Sequence, residues 1–122
     1  MRCFENVAAH LTDGLSVVEA FLPMNLTRLR DDQYEDAERI DVDVVRHDLG
    51  RHDPVAQRLD ESHVVLSSSG VRVSPIVARY AWPSELDLMA RIAGLRLRHR
   101  WSGWEHEPFT ATSRRHVSVY GR

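Results

Sequence analysis

Seven histidines, one cysteine and several paired carboxylates are the side chains of this sequence best suited to hold a metal or move a proton. Their spacing argues against both uses. His47 and His52 lie five apart and His63 eleven further on, so no pair has the i, i+4 spacing that brings two imidazoles onto one helix face, and Cys3 has no second cysteine to join it. The neighbouring residues are strand-like and polar, which favours exposed histidines on a charged sheet, and no metal site is expected. Asp31 with Asp32, and Asp41 with Asp43, read as solvated charge rather than acid/base pairs. Ser67, Ser68 and Ser69 fall in a turn, without the G-x-S-x-G elbow of a serine nucleophile. Neither G-x-G-x-x-G nor a phosphate loop occurs. Tyr80, Trp82, Trp101, Trp104 and Phe109 are left as either the lining of a small-molecule pocket or ordinary core and rim packing.

The chain around these residues has 122 amino acids, enough for one domain of the common ~100–150 residue size, and residues 1–122 are expected to form one. It is 43% hydrophobic and 28% charged, the composition of a globular protein rather than a disordered one. A net charge of -2 provides no field for nucleic acid or an anionic membrane, and neither partner is expected. Every basic residue is arginine, which fits a GC-rich coding bias and leaves no amine for a Schiff base. Cys3 lies in an apolar-periodic stretch and reads as a small core residue. No apolar run is long enough to span a membrane, and no signal-peptide pattern opens the chain, so a cytoplasmic protein is expected.

Phe4, Val7, Ala8 and Leu11 share one helical face, so a helix is expected over 2–12, stopped by Asp13-Gly14. The apolar run 15–22 suits a strand buried on both faces, as in a parallel sheet, and not an edge. Residues 24–38 are polar and weakly periodic and read as a loop or a short lid-like helix. Three extended stretches follow. Ile40, Val42 and Val44 alternate with aspartates in the first, residues 57–67 form the second, and Val71, Val73 and Val77 carry the third, with Pro75 at an edge or bulge. Together they read as an antiparallel meander. Pro83 and the Ser84-to-Asp87 spacing of a capping box start a second helix that ends at Gly94. Leu95, Leu97, His99 and Trp101 then alternate with Arg96, Arg98 and Arg100, a strand with the arginines on its solvated face. His116–Tyr120 closes the chain as a last strand.

The order of a helix, Asp13-Gly14, the strand ending Val17-Val18-Glu19-Ala20-Phe21, an insertion, the run S-E-L-D-L-M-A-R-I-A-G-L-R-L and two final strands resembles the C-terminal part of a class I S-adenosylmethionine-dependent methyltransferase of the small-molecule type. F-T-A-T-S-R-R-H-V-S-V-Y resembles that family's hairpin into a reversed seventh strand. The resemblance implies an α/β fold, a partial Rossmann-like sheet of last strands and helices, with an inserted antiparallel meander over about 38–82 that covers the substrate. It also implies that the glycine-rich turn and ribose-binding acid that hold S-adenosylmethionine precede residue 2, so that no residue of this chain binds the cofactor and the chain alone is a truncated, silent family member. A small-molecule acceptor would be contacted by Glu19 and Phe21 at the end of the matching fifth strand and walled by Tyr80 and Trp82. Strand 15–22, with one edge unpaired, would drive self-association. The alternative is a non-catalytic α+β module that binds a small ligand or assembles with a partner.

Overall fold

The computed structural model describes residues 2–23, 26 and 29–122. The chain divides into two compact units, one built from Met1–Pro23 with Ala81–Arg122 and the other from Met24–Tyr80.

The first unit contains helix α1 (Arg2–His10), strand β1 (Ser16–Phe21), helix α2 (Pro83–Ile92) and strands β6 (Arg96–Trp101) and β7 (Arg115–Gly121). Its sheet has the order β1-β7-β6, with β7 antiparallel to both neighbours, so β1 and β6 run parallel to each other. Register fixes two faces. Tyr120 opposite Ser16, Ser118 opposite Val18 and His116 opposite Ala20 point toward the helices; Val119 opposite Val17, Val117 opposite Glu19 and Arg115 opposite Phe21 point away. On the helix side Phe4, Ala8, Ala90, Leu95 and Tyr120 form the core, where Phe4 meets the Tyr120 ring edge-on at 5.4 Å. Gly94, at a φ of 81° open to glycine, turns the chain out of α2 so that the Leu95 amide reaches the Ala90 carbonyl at 2.8 Å and Leu95 drops into that core.

The second unit is an antiparallel meander of β2 (Gln33–Ile40), β3 (Val44–Asp53), β4 (Arg58–Ser67) and β5 (Gly70–Arg79), paired in that order. Tyr34, Leu59 and Tyr80 form its buried cluster, with Leu26 and Leu29 against it. Gly50 stands opposite Tyr34 in the ladder, and the tyrosine ring occupies the space a Cβ would need. Pro75 lies in β5, an edge strand, where its missing donor leaves no gap in the ladder.

Several expectations are corrected. Residues 33–40 form a full strand rather than a loop or lid-like helix; the acidic side chains that hid the pattern are mostly on the exposed positions. Met24, Asn25, Thr27 and Arg28, from the same stretch, lie outside the described residues. Ile40, Val42 and Val44 are not one strand: Asp41–Asp43 make the β2–β3 turn, closed by the Asp41 amide on the Val44 carbonyl, and Val42 is fully exposed. Strand β1 is not buried on both faces. It alternates half-buried with exposed positions and is the edge strand of its sheet among the described residues, with β7 on one side only. Cys3 is exposed, because the core face of α1 is carried by Phe4 and Ala8. Helix α2 is capped two residues earlier than its Ser84–Asp87 spacing suggests: Glu85 accepts the Trp82 amide at 2.7 Å, which frees Asp87 for another role.

Candidate functional site

In the first unit β1 and β6 end at the same edge of the sheet, and the connection 102–114 crosses between β6 and β7 there. Open α/β sheets bind ligands at the carboxyl ends of their parallel strands. Glu19 sits near that end of β1, on the face away from the helices. Its carboxylate is held twice, by the Trp104 indole N–H on Oε2 at 3.1 Å and by an Arg115 guanidinium N–H on Oε1 at 3.3 Å. Trp104 comes from the connection and Arg115 from β7, so residues 85 and 96 positions away along the chain fix one carboxylate. Phe21 follows two residues later, 46% exposed, with Arg115 as its ladder partner.

The connection that delivers Trp104 is internally bonded. Ser102 donates its amide to the Glu107 carbonyl at 2.9 Å, Trp101 bridges to Pro108, and Thr110 donates its amide to the Ser113 hydroxyl at 2.9 Å. Trp101 is stacked between His99 at 5.1 Å and His106 at 4.1 Å. These rings and Trp104 wall a recess of about 270 Å3 whose floor is Leu15, Val17, Val117 and Val119. Glu19 adjoins the floor, two residues from Val17 and directly opposite Val117.

On the helix face lies a polar network that pattern reasoning missed. Asp87 of α2 accepts two bonds from Arg100, at 2.6 and 3.1 Å, and one from the Tyr120 hydroxyl at 2.8 Å. Arg100 also donates to Ser118 at 2.8 Å, and Ser118 bonds His116 Nδ1 at 2.8 Å. Arg100 was expected on a solvated face; the register shift between Leu97 and His99 turns it inward beneath α2. Partial burial pushes the Asp87 carboxyl up, but the bonds from Arg100 and Tyr120 outweigh this and hold it below its ordinary range. Burial and the bond to Asp87 push the Tyr120 hydroxyl up to about 12. Burial, then the nearby Arg100 charge, lowers the His116 imidazole. His116 is wholly buried and its Nε2 has no partner among the described residues. The signal available in the sequence was the Asp87 to Arg100 charge pair, which no periodicity rule links.

Of the other expected wall residues, Trp82 is partly exposed at the start of α2, in the same unit as Glu19. Tyr80 belongs to the second unit, where it is buried and its hydroxyl bonds His52 Nε2 at 3.0 Å. His63 bonds Asp48 at 2.5 Å. Ser67 and Ser69 bond each other in a hairpin turn. No group of three or more histidine, cysteine and carboxylate side chains able to hold a metal occurs among the described residues.

No protein-family model and no curated protein matches the sequence. Solved structures do. The CcbJ methyltransferase from Streptomyces caelestis is 39% identical over 97% of this chain and 50% of its own, with a TM-score of 0.85. An S-adenosylmethionine-dependent methyltransferase from Clostridium acetobutylicum shares the fold over 96% of this chain and 48% of its own, at 10% identity and a TM-score of 0.70. The chain belongs to the S-adenosylmethionine-dependent methyltransferases. CalS10, an amino pentose methyltransferase from Micromonospora echinaspora, matches 96% of this chain and 48% of its own, at 20% identity and a TM-score of 0.50.

This methyltransferase chain thus spans about half the length of the family members it matches and corresponds to their C-terminal part. The non-catalytic module is not favoured by these matches. The family's cofactor does not fit the residues in hand. A nucleoside-type site needs a glycine turn leading from a strand into a helix. The glycines with positive φ do not provide one: Gly14 leads from α1 into β1, Gly70 lies in a hairpin, and Gly94 leads from α2 into β6. No described helix is long and apolar enough to cross a membrane.

Proposed function

We propose that this methyltransferase chain forms the acceptor side of a small-molecule methyltransferase, and that the contacts to S-adenosylmethionine come from polypeptide outside these residues. The observation that carries the reading is Glu19, a carboxylate on the ligand-binding edge of β1 held in place by Trp104 and Arg115. A carboxylate fixed there orients an amine or hydroxyl acceptor, and Phe21 and Trp82, in the same unit, supply apolar surface to its body. Alignment of acceptor and donor is the main catalytic resource of a group transfer, so this half by itself is inactive. The isolated chain self-associates through the open edge of β1, and a cytoplasmic location belongs to the same reading.

The test is calorimetric. The isolated chain titrated with S-adenosylmethionine gives no saturable heat, and a chimera in which the unmatched half of the Streptomyces caelestis enzyme is joined to this chain restores binding. Micromolar binding by the isolated chain overturns the proposal, as does a chimera that binds the donor yet gives the same acceptor turnover after Glu19→Ala.

A further inference from the structure

Among the described residues of the first unit, His116 is the wholly buried titratable side chain that keeps an unused polar atom, its Nε2. It stands second in β7, opposite Ala20, at the edge where β1 and β6 end, and it follows the Arg115 that bonds Glu19. Its Nδ1 is committed to the Ser118 hydroxyl at 2.8 Å, which also accepts Arg100 Nε at 2.8 Å. Two further contacts lead out of this network, and both end on Phe109 of the connection 102–114. The Phe109 ring meets the His116 ring edge-on with centroids 6.0 Å apart, and the Arg100 guanidinium lies 5.8 Å from the Phe109 ring centre. Phe109 and Trp104 belong to one internally bonded connection, held by Ser102 on Glu107 and by Trp101 on Pro108. A chain of contact therefore runs from His116 through Phe109 to the indole that holds Glu19.

These contacts suit one charge state of the imidazole. Protonated, it needs an acceptor at each nitrogen, and Nε2 has none among the described residues. The charged groups that face it are Arg100 from β6, which repels the added charge, and Asp87 from α2, whose carboxylate already accepts from Arg100 and Tyr120. Strand β1 presents Ala20 and the connection presents Phe109, neither of which titrates. A buried cation lacking an acceptor is driven toward water, and that movement breaks the packing against Phe109.

We propose that His116 is a positioning residue for the acceptor site: neutral, it anchors Phe109 and so keeps Trp104 on Glu19; protonated, it frees the connection and releases Glu19 from the indole. The proposal rests on the reading of Glu19 as the acceptor contact and adds the control of that contact. Its direction follows from burial and the Arg100 charge, which lower the proton affinity of His116 from the ordinary 6.5. The held form is complete above 6.5 and is lost as pH falls beneath it.

The test is an NMR titration of the full chain with pH. The Trp104 indole N–H, identified by its loss in Trp104→Phe, moves from its bonded to its free position along the same curve as the His116 ring, with a midpoint below 6.5. His116→Gln, which keeps a polar group beside Ser118 and takes up no proton, holds the indole in its bonded position through that range. In Phe109→Ala His116 still titrates and Trp104 no longer follows it. The Val119 and Tyr120 amides in the central strand stay protected throughout, which separates release of the connection from unfolding. A Trp104 shift that persists in His116→Gln overturns the proposal, as does a Trp104 signal that stays fixed while His116 titrates, or loss of the β7 protection at the same midpoint. The second arm uses the chimera with the unmatched half of the Streptomyces caelestis enzyme. Its acceptor KM rises at least about 5-fold as pH falls through that midpoint while donor affinity holds, and His116→Gln removes the rise. A flat acceptor KM with Trp104 still following His116 overturns the reading of Glu19 as the acceptor contact and leaves the coupling of His116 to Trp104 established.

Discussion

Replacing Asp87 with alanine removes the acceptor of three bonds at once. Two come from Arg100, whose side chain is only 13% exposed, and one from the buried Tyr120. Deleting one partner of a buried ion pair costs about 3–5 kcal/mol, because the other charge is left uncompensated. Asp87 keeps 29% exposure, so water relieves part of that penalty and a loss of about 2–3 kcal/mol is expected. At about 4–8 °C per kcal/mol for a unit of this size, the melting midpoint of the first unit falls by about 10–20 °C. The assay is a thermal melt followed through the tryptophans, with Asp87→Ala, Arg100→Met and the double variant forming a cycle. Each single change strands the other group, whereas the double change strands neither, so the double variant loses less than the sum by at least about 1.5 kcal/mol. Asp41→Ala, which breaks an exposed contact with Arg39, leaves the midpoint in place. The carboxyl of Asp87 is held below its usual 3.8, so its contribution is present above that pH and lost as pH falls through the lowered value. Additivity within about 0.5 kcal/mol across the cycle refutes the network as a coupled unit.

Three further outcomes rest on the same structure. His116 has its affinity for a proton lowered from the ordinary 6.5 by burial and by Arg100, so the unfolded chain binds the proton first; stability is full above 6.5 and declines as pH falls. His116→Gln flattens the urea midpoint across that range, and an unchanged slope in the variant would show that another group titrates. Tyr120 is shifted the other way, so its contribution persists below 10 and is lost as pH rises through about 12, an alkaline limb that Tyr120→Phe removes from the same titration. Gly50→Ala drives a Cβ into the Tyr34 ring and costs the second unit about 1–3 kcal/mol, seen as faster exchange of β2 and β3 amides, and Tyr34→Ala in the same chain relieves it.

The elements with strong local signals were readable from the sequence. Gly14 and Gly94 end α1 and α2, Pro83 opens α2, and the valines of β5 alternate after a glycine turn. What local pattern could not show was pairing. Residues 33–40 carry so many acids that they look like loop, yet the strand needs only Tyr34 packed over Gly50 to fix its inner face. Val42 looked like a strand residue because alternation cannot distinguish a ladder from a two-sided turn. Among the residues of the proposed site Glu19 and Phe21 were reachable from the family pattern, while Trp104 and Arg115 were not, since the contacts that hold Glu19 span most of the chain.

The same limit explains Arg100, and with it the logic of the first unit. Three arginines at alternate positions are indistinguishable by sequence, but a one-residue shift in the β6–β7 ladder sends the third beneath α2. The apolar core there is small, five buried residues. Apolar packing of that extent tolerates sliding of a helix along a strand, whereas a two-pronged guanidinium–carboxylate contact does not. Asp87 and Arg100 therefore fix α2 on β6, and Ser118 and Tyr120 extend that fixed frame into β7. Residues 102–114 are suspended between the ends of those two strands. Positional order imposed on the helix face is in this way passed to the opposite face, where it is spent on holding Trp104 and Arg115 against Glu19.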